Sequence, residues 1–177
     1  MKSRKRIKLV DKRLFLNYAM PCLAERVRKG EITAKEFHDF CEDLAKDKEM
    51  PDEELYKLFP VAMNFIEESA KNGEKEVRVD EDVIHQYFWY DHDRVVKTRM
   101  NPDRHKYCLV LPGKVLKTKG KEAVVETPLG ERKVSLAFLK GENFLGKHVT
   151  IHYYHACEII SEEDFNKLWE MKSEQGK

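Results

Sequence analysis

The sequence is short of the features that announce most familiar functions. Its 177 residues include only four cysteines, at positions 22, 41, 108 and 157, and no CxxC pair, so neither a paired-cysteine zinc motif nor a dense disulfide framework is indicated. No apolar run approaches the ~20 residues that span a bilayer, and the opening stretch Met1 to Val10 lacks the long apolar segment of a secretion signal. A cytoplasmic protein with no membrane partner is expected. Net charge is also nearly absent: 33 Lys and Arg stand against 32 Asp and Glu, a formal +1, which argues against both a generally basic nucleic-acid binder and an acidic tail protein. There is no Walker A sequence, no dinucleotide-binding glycine fingerprint, no HExxH and no serine-centred elbow. Most enzyme classes lose their signature, and a protein that is not an enzyme is expected.

What is present suffices for a folded chain. Hydrophobic residues make up 41% and aromatics 10%, although charged residues reach 37% against the ~25% usual in soluble domains. The first hundred residues read as helices. From Asp11 to Lys29, Leu14, Phe15, Tyr18, Ala19, Cys22, Leu23 and Val27 form a stripe at helical spacing, which assigns Cys22 to a buried face. Thr33-Ala-Lys-Glu36 is a capping box opening a second helix with Phe37, Phe40, Cys41 and Leu44 on its apolar edge, so Cys41 is also read as core. A third helix is expected from Asp52, bent or divided at Pro60, and a fourth from Asp80 through Phe88 after an Asn72-Gly73 turn and a short extended piece at 74–79. Asn101-Pro102-Asp103 is turn chemistry and sets a boundary, giving a helical domain over 1–105 and a second domain over 106–177.

Beyond the boundary the rhythm changes to short β-branched segments, Tyr107 to Lys117, Glu122 to Thr127, Glu131 to Leu136 and His148 to Ile160, separated by Lys119-Gly120, Pro128-Leu129-Gly130 and a longer loop from Lys140. This is the pattern of a small barrel. Ser161-Glu-Glu-Asp164 caps a terminal helix carrying Phe165, Leu168 and Trp169. Strand alternation puts Leu109 and Leu111 inside, with Cys108 and Val110 on the opposite face; in the later strand it puts Val149, Ile151 and Tyr153 inside and His148, Thr150 and His152 outside. Cys108 and His152 are thereby candidates for one polar, accessible face, while alternation separates His152 from His155 and Cys157 unless a bulge intervenes.

The landmarks Cys108, Pro112, Gly113 and Val115, then Arg132-Lys-Val-Ser-Leu136, Val149-Thr-Ile-His152 and Ala156, resemble in order and spacing the HypC/HupF family of small chaperones of nickel-iron hydrogenase maturation, over residues 107–170. The resemblance implies a small OB-like barrel with a helical tail, and a cysteine that carries iron toward the hydrogenase large subunit. It further implies Cys108 as a metal ligand with His152 as its helper, Pro112 and Gly113 as motif residues, iron carried transiently, and two partners: the hydrogenase large-subunit precursor and a HypD-like scaffold protein. Thiolate and imidazole suit that chemistry.

Other segments invite functional readings. Trp89 and Tyr90, in an aromatic run from His85 to Arg94, together with Tyr153 and Tyr154, form a candidate partner-binding set, because exposed aromatics beside Arg dominate interfaces. The competing and favoured reading of that run is a hydrophobic seal between helices and barrel. Asp91, His92 and Asp93 are of acid-base or metal-binding type but have no partner segment. The basic start (Lys2, Arg4, Lys5, Arg6, Lys8, Lys12, Arg13) could steer an acidic partner or touch RNA, but reads first as a solvated arm. The sequence thus predicts an α+β protein, an N-terminal helical partner-recognition domain plus a C-terminal OB-like β-barrel with a terminal helix, acting as an assembly chaperone or metallocentre-delivery protein. The alternative is an OB-like nucleic-acid-binding module using aromatics and a cationic groove. The central geometric expectation is a solvent-open sulfur at Cys108 within a few ångströms of the His152 imidazole.

Overall fold

The computed structural model describes residues 6–69 and 76–176; the Asn72-Gly73 turn and Lys2, Arg4 and Lys5 lie outside the described residues. The basic start is not an arm throughout: Arg6–Leu9 (β1) pairs in parallel with Glu76–Val79 (β2), and Ile7, Val77 and Val79 turn inward to the helical core. Asp11 caps α1 (Lys12–Ala19) by accepting from the Leu14 amide. The helical stripe then tightens into a 3₁₀ turn at Met20–Cys22, with Pro21 in it, before α2 (Leu23–Arg28). The Thr33 capping box forms and opens α3 (Ala34–Ala45). Pro60 divides the third predicted helix into α4 (Asp52–Leu58) and α5 (Pro60–Ser69).

Asp80 caps α6 (Glu81–His85), as its spacing predicts, but the helix does not stop near Phe88. It widens into a π-helical turn at Gln86–Asp91 and continues as α7 (His92–Arg99). Asn101-Pro102 starts another helix: the Asn101 side chain accepts from the Asp103 amide, proline occupies the first turn where no amide partner is needed, and α8 runs Pro102–Cys108. Tyr107 and Cys108 are therefore helical, not the start of a strand.

The barrel comprises β3 (Leu111–Lys119), β4 (Glu122–Thr127), β5 (Gly130–Ser135), β6 (His148–His152) and β7 (His155–Ile159), closed in the order β3-β4-β5-β7-β6. Pairs are antiparallel except β5 with β7, which meet in parallel at Ser135 and His155. This is an OB-like barrel beside helices, an α+β fold as expected. Val115, Val125, Val134, Val149, Ile151 and Tyr153 fill one core with Cys108 and Leu109. The other core joins helical residues such as Phe15, Leu23, Ile66 and Phe88 to Val110, Phe138, Cys157 and Leu168, so the outer face of the barrel is covered by helices. The terminal helix α9 (Glu162–Ser173) is capped by Ser161, which accepts from the Asp164 amide.

Candidate metal centre

Four side chains from four separate elements converge where the helices cover the barrel. Cys22 ends the 3₁₀ turn after α1, His92 is the first residue of α7, Cys108 the last of α8 and His152 the last of β6. Their donor atoms all lie within 4.8 Å of one another. The His152 Nε2 stands 3.6 Å from the Cys22 Sγ and 3.6 Å from the Cys108 Sγ, and the His92 Nε2 stands 3.7 Å from the Cys22 Sγ. The two imidazole rings meet edge to face at 4.9 Å.

The orientation of His152 has an identifiable cause. Its Nδ1 lies 2.7 Å from the carbonyl oxygen of Tyr18, which can only accept, so Nδ1 carries a proton and Nε2 is the nitrogen turned toward the Cys108 sulfur; the Cys22 Sγ lies beside the ring, 3.6 Å from Nε2 and 3.9 Å from Nδ1. Tyr18 is itself fixed by the barrel: its hydroxyl contacts the Thr150 Oγ1 at 2.7 Å, donates to the Glu158 carboxylate at 2.6 Å and accepts from the Trp89 indole at 2.8 Å. His85 stacks on Trp89 and meets the same Glu158 oxygen at 2.8 Å. One tyrosine thus anchors α1 to β6 and β7 while its backbone holds the imidazole.

The two sulfurs are electrostatically unequal. A hydrogen bond from the Cys22 thiol holds Cys108 well below the ordinary thiol range, with His152 and His92 assisting against burial. The same hydrogen bond and burial push Cys22 upward. Of the two, Cys108 is the sulfur pushed toward its thiolate form, the form in which sulfur is a soft ligand for a cation. A cleft of about 360 Å³ reaches the cluster between α2, α5 and α7; Cys22, His92 and Cys108 line it, and the exposed Lys29 and Arg99 border it.

The segment holding Cys108, Pro112, Gly113 and His152 can now be set against known proteins. Residues 107–171 match the HupF/HypC family. No curated protein matches the chain. The HupF/HypC segment contributes Cys108 and His152, whereas Cys22 and His92 come from the helical part outside it. Within the segment, Gly113 has a steric role: a Cβ there would stand 2.2 Å from the Val125 side chain, so only glycine lets β3 approach β4.

Strand alternation correctly separates His152 from the barrel interior, and Cys108 does lie within a few ångströms of it. The solvent-open expectation fails: Cys108 is 4% and His152 0% exposed, because helices seal the outer face. Cys22 is half-buried and belongs to neither core; it ends the 3₁₀ turn, where it meets His92 and His152. Cys41 is half-buried against the helical core, as expected, and burial pushes its thiol up to about 12. A bulge does occur in β7, yet Cys157 is buried in the core and His155 stacks on Phe138, so neither joins the four donors. Of the candidate partner-binding aromatics, Trp89 and Tyr153 are corrected to buried residues at 4% and 2% exposure, the first closing the seal between helices and barrel and the second filling the barrel. Tyr90 is half-buried and Tyr154 is open to solvent. Sequence reasoning missed Cys22 and His92 as partners of Cys108; the only signal was the unassigned His92 beside two aspartates.

Proposed function

We propose that the chain is a non-enzymatic assembly protein of the hydrogenase-maturation type, which takes up iron as cargo at Cys108 and His152 and passes it on. The observation that carries this reading is the 3.6 Å approach of the Cys108 Sγ to the His152 Nε2 inside the segment that matches HupF/HypC. A sulfur pushed toward its thiolate form and an imidazole oriented by a backbone carbonyl form a soft donor pair suited to iron, and no substrate needs to be turned over. The covered position of the pair supports transient protection of a bound metal, with the cleft beside Arg99 as its approach.

In this reading residues 106–177 handle the metal and residues 1–105 recognise partners, in the cytoplasm. Among the described residues no helix is long and apolar enough to cross a membrane. The partners are a hydrogenase large-subunit precursor and a HypD-like scaffold protein. Co-purification from the native host tests this: both partners and iron are expected with the wild type, and Cys108→Ala should abolish the iron. Failure to recover either partner, with metal content indifferent to the substitution, would reject the reading.

One surface favours nucleic-acid binding as a second reading. A cleft of about 880 Å³ over β4 and its neighbours is lined by Lys117, Lys119, Lys121 and Lys133 with Tyr154. Affinity for single-stranded RNA that weakens steeply with salt would support it, and absence of binding at low salt would remove it.

A further inference from the structure

We infer that Cys22 and His92 complete, with Cys108 and His152, a four-ligand tetrahedral site in which this chain alone holds one divalent first-row ion of the zinc class. The inference rests on the reading of Cys108 and His152 as metal ligands and adds to it the two donors that lie outside the HupF/HypC segment.

Four donors within 4.8 Å of one another, two of the pairs at ligand spacing, have the dimensions of a coordination sphere. Bonds of about 2.3 Å to sulfur and 2.0–2.1 Å to nitrogen, at tetrahedral angles, separate a sulfur from a nitrogen by about 3.6 Å. The Cys108 Sγ–His152 Nε2 and Cys22 Sγ–His92 Nε2 separations are 3.6 and 3.7 Å, while the Cys22 Sγ, 3.6 Å from the His152 Nε2 and 3.9 Å from its Nδ1, lies beside that ring and meets an ion on Nε2 by a turn of its side chain. Charge points the same way. Two thiolates and two neutral imidazoles cancel a divalent charge, so the buried complex is neutral, whereas one thiolate and one imidazole would leave a net positive charge in a covered site. His92 also has the correct nitrogen inward: its Nε2 faces Cys22, while its Nδ1 is buried with no protein partner, the position a water in the adjoining cleft would occupy. Two sulfurs and two nitrogens in a tetrahedron favour zinc or iron over harder ions. Because the ligands come from a 3₁₀ turn, two helix ends and a strand end, the ion ties the helical part to the barrel.

The experiment uses the full, reduced, metal-free chain titrated with Co²⁺ as a spectroscopic probe. Binding at one ion per chain is expected, with the visible bands of tetrahedral cobalt and thiolate charge transfer. Cys22→Ser and His92→Gln should each weaken binding at least about tenfold and alter the spectrum, by comparison with the 10–100-fold that even an outer-shell partner contributes. Cys41→Ser, which touches none of the four donors, should match the wild type. X-ray absorption of the zinc-loaded wild type gives a result independent of how the variants fold: two sulfurs near 2.3 Å and two nitrogens near 2.0–2.1 Å. A shell with one sulfur, or variants at positions 22 and 92 that bind as the wild type does, would overturn the inference and leave the Cys108–His152 cargo reading standing. A wild type that binds no Co²⁺ would overturn it too, with the co-purification experiment still deciding the cargo reading.

Discussion

At position 113 a side chain has nowhere to go. The Val125 methyl would lie 2.2 Å from any added Cβ and the Glu126 carbonyl 3.3 Å, on a strand pinned from the other side by pairing of Gly113 with Val149. Gly113→Ala is therefore expected to force β3 and β4 apart and to lower the thermal midpoint by several degrees; a midpoint equal to that of the wild type would contradict this. The Cys-x-x-x-Pro-Gly pattern was legible in the sequence, and with it Cys108 and His152. Cys22 was not, because helical periodicity assumes 3.6 residues per turn and the Met20–Cys22 turn is tighter. Tyr18 was readable as a core residue, but nothing in its apolar stripe tells that its carbonyl orients an imidazole 134 positions away.

Among the elements, the π turn at Gln86–Asp91 decides where His92 points. The wider turn shifts the register of everything after Phe88, so Tyr87, Phe88 and Trp89 are all buried while His92 still faces the cluster. No pattern of apolar residues announces such a turn, which is why His92 lacked an assignment from sequence. α9 locks the same segment. Lys172 is fully buried and donates to the Asp93 carboxylate at 2.5 Å and to the Trp89 carbonyl at 2.7 Å, and Gln175 donates to Asp93 at 2.9 Å. Lys172→Ala leaves Asp93 charged and buried without its cation. A loss of about 3–5 kcal/mol in chemical denaturation is expected, and metal affinity should fall with it because Asp93 adjoins His92. A loss below about 1 kcal/mol, the range of an exposed pair, would show that the ion pair is not buried in solution. The capping box at Thr33 and the serine cap at Ser161 were legible because they are local; α8 was not, because an Asn-Pro-Asp sequence serves both a turn and a helix start, and packing of Cys108 beside the barrel selects the helix.

For the whole molecule, the fold class and the barrel could be read from the change of hydrophobic rhythm near residue 106, but the seal between helices and barrel could not, since strand parity gives a side and not what covers it. That seal carries a pH signature. His155 packs between Phe37 and Phe138, and burial lowers its pKa from 6.5 to about 4. Between those values the unfolded chain takes a proton that the folded chain refuses, so stability is complete above about pH 6.5 and is lost progressively as pH falls toward about 4. For the metal-free protein, denaturation at about pH 7 and about pH 4.5 should show a smaller acid loss in His155→Phe than in the wild type. Equal losses would place the ring in water.

In the proposed function the sulfur of Cys108 and the imidazole of His152 hold a metal together. Native mass spectrometry of the intact chain, reduced and loaded with Fe²⁺ without oxygen, counts the ions they hold. One iron per wild-type chain and none on Cys108→Ala is the result predicted; iron retained by the variant at the wild-type stoichiometry would contradict it.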